Sequence, residues 1–331
     1  MVPLRQVAVC EPRGRETGEQ VDPAVPGSPL TLPLITVVIP TYARPRQLTA
    51  CLTALAAQRC QAPWEVVVVD DGSLEPLDAI AEAFHGRLDL RIERQLNAGP
   101  AQARNRGVAV ARGRFIAFTD DDCLPEPDWL GALLHREALT PGAMVGGTTI
   151  NGLDKDLFAS VSQLIVDLVY DHFNADPSRA TFLTSNNVLC TRERFEALGG
   201  FDVNFPRAGA EDRDFCDRWR TAGWPLVWEP AARIEHRHAQ TLGRFVDLHY
   251  RYGRGAYLHH RRRLERGSSG FVQDIGFHTS ILPRLRALRG DPRVAGRTLA
   301  ILAAFGIWQG ANAAGFAREA LLGSRRQSPA S

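Results

Sequence analysis

The sequence predicts an α/β fold, a doubly wound, mostly parallel sheet with helices on both faces, and three observations predict it. Strand-like and helix-like stretches alternate without a break through residues 34–123. Two of the strand-like stretches, "LITVVIP" and "EVVVVD", are continuous β-branched runs rather than alternating ones, as expected of strands buried on both faces. Acidic and hydroxyl residues gather where these strands end, at Thr41, Asp70, Asp71, Asp120, Asp121 and Asp122. In such sheets ligands bind in the crevice beyond the strand C-termini.

The 331 residues, 44% hydrophobic, 23% charged and 8% aromatic, have a globular composition with enough chain to bury a sizeable core. A net charge of +2 gives no reason to expect nucleic acid as a partner. Arginine carries nearly all the positive charge, because Lys155 is the sole lysine. Cys10, Cys51, Cys60, Cys123, Cys190 and Cys216 are widely spaced with no C-x-x-C pair, so neither a disulfide framework nor a zinc site is expected. Residues 1–33, broken by Glu, Arg, Gly and Pro, lack the apolar core of a signal peptide and read as a disordered leader.

The first strand is expected within "PLITVVIPTYARP", ending near Pro40, and a helix at "RQLTACLTALAAQ". A second buried strand, "WEVVVVDDGS", ends on Asp70 and Asp71 and leads to a helix around "PLDAIAEAFHG". A third strand follows at "LDLRIERQ", then a loop entering a helix in "GPAQARNRGVAVARG", then the strand "RFIAFTDDD". Further on, "TFLTSNNVLCTRERFEALGGFD" reads as strand, helix and a turn at Gly199–Gly200, and "GAEDRDFCDRWRTAGW" as a loop entering a helix led by acidic residues.

Three successive aspartates after a buried strand repel one another. A strand-end aspartate commonly caps a helix or closes a turn, and that suffices for Asp70 or Asp71 taken singly. A cap needs one carboxylate, however, and the triplet calls for a cation; hard oxygen ligands select Mg2+ or Mn2+ over zinc. Such ions are held by one or two carboxylates plus substrate phosphates, which implies a nucleotide diphosphate. Neither G-x-G-x-x-G nor a P-loop is present. A nucleotidyltransferase of related architecture stays as the alternative, disfavoured because the loop after the first strand, "PTYARP", is not glycine-rich. A catalytically silent binding module would not need the acidic groups.

The blocks "VVIPTYARPRQLTACLTAL", "EVVVVDDGS", "NAGPAQARNRGVAVARG", "FIAFTDDDCLPEPDWL", "GGFD" and "EDRDFCDRWRTAGW", in order over residues 34–240, resemble a family 2 glycosyltransferase of GT-A fold. The resemblance implies transfer of a sugar from a nucleotide diphosphate sugar to an acceptor hydroxyl, with inversion. It implies that Pro40, Thr41 and Asp71 lie against the base, with Tyr42, Arg44, Asp70 and Asp121 in the same donor site and Arg104 near the donor. Asp120–Asp122 would be the metal-binding D-x-D motif, with Asp122 on the metal and Asp120 toward the ribose. It divides the chain into a nucleotide-sugar half (34–150), an acceptor and catalytic half (151–240) and a helical C-terminal region (241–331).

An inverting transfer needs a base for the acceptor proton. Related enzymes use an acidic pair like Glu211–Asp212, which points to Asp212, with Glu211 as the alternative. These carboxylates would equally favour a helix N-terminus through its dipole. His236 and His238, two apart in "RIEHRHAQT", share one face of a strand. Each is an ordinary polar residue on its own terms, while the resemblance makes one of them a candidate to complete the metal shell, alongside Asp122 and Asp120.

"LHYRYGRGAYLHHRRRLERG" reads either as a solvated helix face or as a site for a diphosphate or anionic lipid surface. It lacks the Q-x-x-R-W block of processive relatives, so a single addition is expected. Residues 298–317 carry no charge and reach the ~20 residues of a span. They are rich in Ala and Gly and contain Gln309 and Asn312, which leaves a span, an interfacial helix and a packing helix open. Arg284, Arg286, Arg289 and Arg293 upstream favour an anionic leaflet. The expected partners are the nucleotide-sugar donor, a glycan, lipid-linked or small-molecule acceptor, and peripherally an anionic membrane. A cytoplasmic location is expected, with the inner face of the cell membrane open as a docking place.

Overall fold

The computed structural model describes residues 32–207, 209–267, 277 and 296–327. The expected leader, apart from its last two residues, lies outside the described residues. So do Arg284, Arg286, Arg289 and Arg293.

Strand β1 (Ile35–Thr41) is buried along its whole length and lies between two parallel neighbours, β2 (Trp64–Asp70) and β4 (Phe115–Phe118). Strand β3 (Leu90–Arg94) extends the parallel ladder beyond β2. The register sets Thr41 beside Asp70 and Val38 beside Phe118, so the polar residues following these strands emerge along one edge of the sheet. Helix α1 (Pro45–Leu55) opens on a proline whose missing N–H costs nothing there, and buries Leu48, Cys51, Leu52 and Leu55 as one stripe. Helices α2 (Asp78–Ala83) and α3 (Pro100–Val110) complete the alternation read from the sequence.

Beyond β4 the sheet changes character. Its order, once β5 (Cys123–Pro125), β6 (Met144–Asn151), β7 (Val188–Thr191) and β8 (Leu226–His236) are added, is β3-β2-β1-β4-β7-β6-β8-β5. Strand β7 runs antiparallel to both β4 and β6, and β5 antiparallel to β8. The strand expected over 181–190 is confined to its end, because residues before Val188 spend their hydrogen bonds elsewhere. Thr181 and Phe182 N–H donate to Asn174 Oδ1 at 3.0 and 3.2 Å, and Asn187 Oδ1 accepts from Trp129 Nε1 at 2.7 Å.

Apolar layers cover both faces. Helices α1 and α4 (Trp129–Leu139) pack Leu52, Trp129, Leu130 and Leu133 against one. On the other, Leu164 and Leu168 of α5 (Leu157–Phe173) meet Phe118, Phe195 of α6 (Arg192–Ala197), and Phe215 and Trp219 of α7 (Glu211–Thr221).

Two long helices follow, α8 (Leu242–Glu265) and α9 (Thr298–Gln327). A Cβ at Gly315 would come within 2.0 Å of Tyr250 O, and one at Gly253 within 2.0 Å of Asn312 O, so the backbones cross in close contact. The arginines of this stretch divide: Arg261 and Arg262, 36% and 42% exposed, lie near Glu265 of the same helix as a solvated face would have them, while others pair across helices. Arg266 binds Asp214 at 2.9 Å and Asp217 at 2.8 Å, Arg263 lies 3.7 Å from Asp217, and Arg254 binds Glu319 at 2.6 Å. Carboxylates distant in sequence face this helix, and Arg254, Arg263 and Arg266 dock it onto α7 and α9. Over Thr298–Leu322, α9 has a mean hydropathy of 1.3, long and apolar enough to cross a membrane by composition. It buries Ile301, Ala304, Phe305 and Trp308, while Leu299 and Leu302 are exposed.

Candidate active site

The three aspartates find different sets of partners, with Arg44 shared by two of them. Asp120 Oδ1 accepts from Arg104 Nη2 at 2.7 Å. Asp121 accepts from Thr41 Oγ1 at 2.7 Å and from Arg44 Nη1 at 3.1 Å. Asp122 lies 3.2 Å from His236 Nε2 and 3.1 Å from His238 Nδ1, and also accepts from Arg44 at 3.0 Å. Each contact has a local cause. Ala43 takes a left-handed φ of 53°, which turns the chain out of β1 and presents Arg44 to the triplet. Strand β5 pairs Cys123 with His236, and Arg237 N–H donates to Asp122 O at 2.8 Å, so the two histidines are drawn beside Asp122.

Burial acts first on these charges and the partners decide the outcome. Burial pushes the Asp121 carboxyl up to about 7 despite the opposing Arg44 and Thr41 contacts. At Asp122 burial is outweighed by the two imidazoles, which hold its carboxyl well below the usual range. His236 is shifted upward, because Asp122 outweighs the burial that disfavours its charged form.

Helix α7 brings its acidic N-terminus to the same place after Ala210 turns the chain at φ 70°. Glu211 is tied down, accepting from Gly209 N at 2.8 Å and facing Arg104 Nη1 at 3.5 Å. Asp212 accepts from Arg213 N at 2.8 Å, and its second oxygen has no hydrogen bond among the described residues. Burial raises both carboxyls, and the charge of Asp212 raises Glu211 further.

A cavity of about 400 Å³, within the range of small-molecule sites, joins these groups. Pro40, Thr41, Tyr42, Arg44 and Asp71 line one side, followed by Arg104, Asp120–Asp122, Glu211, Asp212, His236 and His238. Asp71 is held rigidly, its carboxylate accepting at 2.8 Å from Gln95 Nε2, Ala98 N and Gly99 N. Asp70, alone of the residues singled out from the sequence, does not line the cavity. Its Oδ1 closes the following turn by accepting from Ser73 N at 2.9 Å. Asp120 also stands apart from the metal-type cluster, with its carboxylate on Arg104.

The sequence reading missed a whole wall of this cavity. It comprises Ser162, Gln163, Ile165 and Val166 of α5, Ser185 and Asn186 before β7, and Leu248, His249 and Tyr252 of α8. The apolar period in "FASVSQLIVDLVY" is the one signal that could have announced α5.

The mixed sheet and its strand-end cavity define a GT-A fold. A mannosyltransferase from Pyrobaculum calidifontis, solved in complex with GDP-Man and Mn2+, aligns over 88% of both chains with a TM-score of 0.61 at 19% identity. Residues 36–199 match glycosyl transferase family 2, and residues 165–240 match the family described as the N-terminal domain of galactosyltransferase. Glycosyltransferase AglE of Haloferax volcanii is 35% identical over 233 residues, 68% of this chain and 73% of that one. The chain belongs to glycosyltransferase family 2. The pre-mycofactocin glycosyltransferase of Mycobacterium tuberculosis is 29% identical over 228 residues, 67% of this chain, which spans 46% of that protein's length.

Proposed function

We propose that this protein transfers a single sugar from a nucleotide diphosphate sugar to an acceptor hydroxyl with inversion, and that Asp212 takes the acceptor proton. The observation that carries the reading is the meeting of two acidic groups distant in sequence, Asp120–Asp122 after β4 and Glu211–Asp212 at the start of α7, in one cavity. The first group, with Thr41 and Asp71, suits the donor. The second suits the base, since among the described residues Asp212 has an oxygen without a hydrogen bond and no arginine against it, whereas Glu211 accepts from Gly209 N and faces the Arg104 guanidinium at 3.5 Å. As the acceptor oxygen bonds to the anomeric carbon, its proton passes to Asp212, and the bond to the nucleoside diphosphate breaks on the opposite face.

The donor set of Asp122, His236 and His238 fits a divalent cation, because one carboxylate oxygen and two ring nitrogens lie within 4.8 Å of one another. Two imidazoles favour Mn2+ over Mg2+. A cation bound there would neutralise charge on the leaving diphosphate. Arg44 contacts Asp122 of this set at 3.0 Å and the adjacent Asp121 at 3.1 Å, and offsets their charge. The partly exposed apolar face of α9 supports peripheral contact with an anionic membrane from the cytoplasmic side.

The test is incubation with UDP- and GDP-sugars, Mn2+ and mixed sugar acceptors. Release of nucleoside diphosphate with one added sugar of inverted configuration is expected. Pyrophosphate release, a ladder of products or retained configuration would overturn the corresponding part.

A further inference from the structure

The wall missed by the sequence reading holds polar atoms that the fold leaves unmet. His249 is 2% exposed and lines the cavity, yet neither Nδ1 nor Nε2 has a hydrogen-bond partner among the described residues. Its ring stands edge-on to Phe245 at 4.4 Å and to Tyr252 at 5.6 Å. As mere filler among aromatics, a phenylalanine would serve better, because a buried polar group without a partner costs stability. Thr149 Oγ1, Ser162 Oγ, Asn186 Oδ1 and Gln240 Oε1, from four other segments around the same cavity, are likewise unpartnered. Unmet groups converging from five segments mark a place where a ligand supplies the missing partners.

Resting on the glycosyl-transfer reading above, we propose that the space between α5 and α8 is the acceptor subsite, and that it takes an uncharged, polyhydroxylated acceptor hydrogen-bonded by His249. Burial pushes the His249 imidazole down to about 4, so near neutral pH the ring has one donor and one acceptor nitrogen, the complement of a hydroxyl group. The two arginines of the cavity lie against carboxylates of the Asp120–Asp122 and Glu211 groups and not on the wall formed by α5 and α8, although Nε and Nη1 of Arg104 have no hydrogen-bond partner among the described residues. Arg44 is paired with Asp121 and Asp122, and Arg104 with Asp120 and Glu211. The remaining charge around the cavity is acidic, which repels an anionic acceptor. Ile165, Val166 and Leu248 supply an apolar surface for the C–H face of a sugar ring.

The experiment compares wild type, His249→Phe and His249→Gln. Phenylalanine keeps the ring and removes both nitrogens, while glutamine restores a donor and an acceptor. Acceptors are p-nitrophenyl glycosides of neutral hexoses beside p-nitrophenyl glucuronide and hexose 6-phosphates, with mixed UDP- and GDP-sugars and Mn2+ as donor. Transfer to neutral members is expected. His249→Phe should melt at or above the wild-type temperature, bind nucleoside diphosphate unchanged, and lose about tenfold in acceptor kcat/KM, mostly in KM, with partial recovery in His249→Gln. Preferred transfer to charged acceptors, to no neutral glycoside, or at wild-type KM in His249→Phe while nucleoside diphosphate still binds overturns this assignment alone. Failure of the wild-type protein to bind any nucleoside diphosphate overturns the donor reading as well.

Discussion

Replacing Asp212 by Asn separates a catalytic base from a helix-end charge. Asparagine keeps the oxygen that accepts from Arg213 N at 2.8 Å but cannot take a proton. General-base catalysis contributes ~10²–10⁴-fold, so kcat and kcat/KM should fall together by that factor, about 3–5 kcal/mol of barrier. Stability should move the other way. Burial raises the carboxyls of Glu211 and Asp212 above their unfolded values. A carboxyl so raised binds its proton more tightly in the folded state, and stability is lost as pH climbs from the unfolded toward the folded pKa. Removing Asp212's charge relieves Glu211, so the variant should gain on the order of 1 kcal/mol at pH 8 and little at pH 4. Steady-state transfer and urea unfolding at both pH values measure the two effects. A variant that transfers sugar at the wild-type rate but unfolds earlier at pH 8 would refute the base and return Asp212 to the helix dipole.

Asp122→Ala should weaken Mn2+ binding by at least about a hundredfold in calorimetry and abolish metal-dependent affinity for nucleoside diphosphate, because even outer-shell partners of a metal contribute 10–100-fold; equal affinity in excess chelator would count against the metal cluster. Gly315→Ala drives a Cβ to 2.0 Å from Tyr250 O and should lower stability by about 1–3 kcal/mol. Acceptor turnover should fall with it, since Leu248, His249 and Tyr252 flank Tyr250 on the cavity wall; an unchanged Tm would show that α8 and α9 are not held this closely. Leu299→Glu with Leu302→Glu on the exposed face of α9 should abolish co-sedimentation with anionic vesicles while preserving nucleotide binding. Such substitutions are cleaner than deleting α9, whose removal would uncover the α8 backbone.

The sequence by itself determined the parallel half of the sheet and the strand-end edge of the cavity. Strands β1, β2 and β4 are buried on both faces, so their continuous apolar runs are local signals, and the residues following them must emerge together whatever the rest of the chain does. That is why Thr41, Asp71 and the Asp120–Asp122 triplet were legible. Asp70, equally conspicuous in the sequence, turned out to close a turn, because one position along the chain decides whether a carboxylate faces the cavity or the backbone. Only the tertiary structure decided which partner relieves each aspartate. The His236–Asp122 contact spans 114 residues and depends on β5 pairing antiparallel with β8, a three-residue strand too short to carry a sequence pattern. The same holds for Arg263 and Arg266 at the end of α8, which looked available until the carboxylates of α7 were seen opposite them, and for His249, whose meaning lies in having no partner among the described residues. Periodicity reports which face of an element is buried; it does not report what is buried against it.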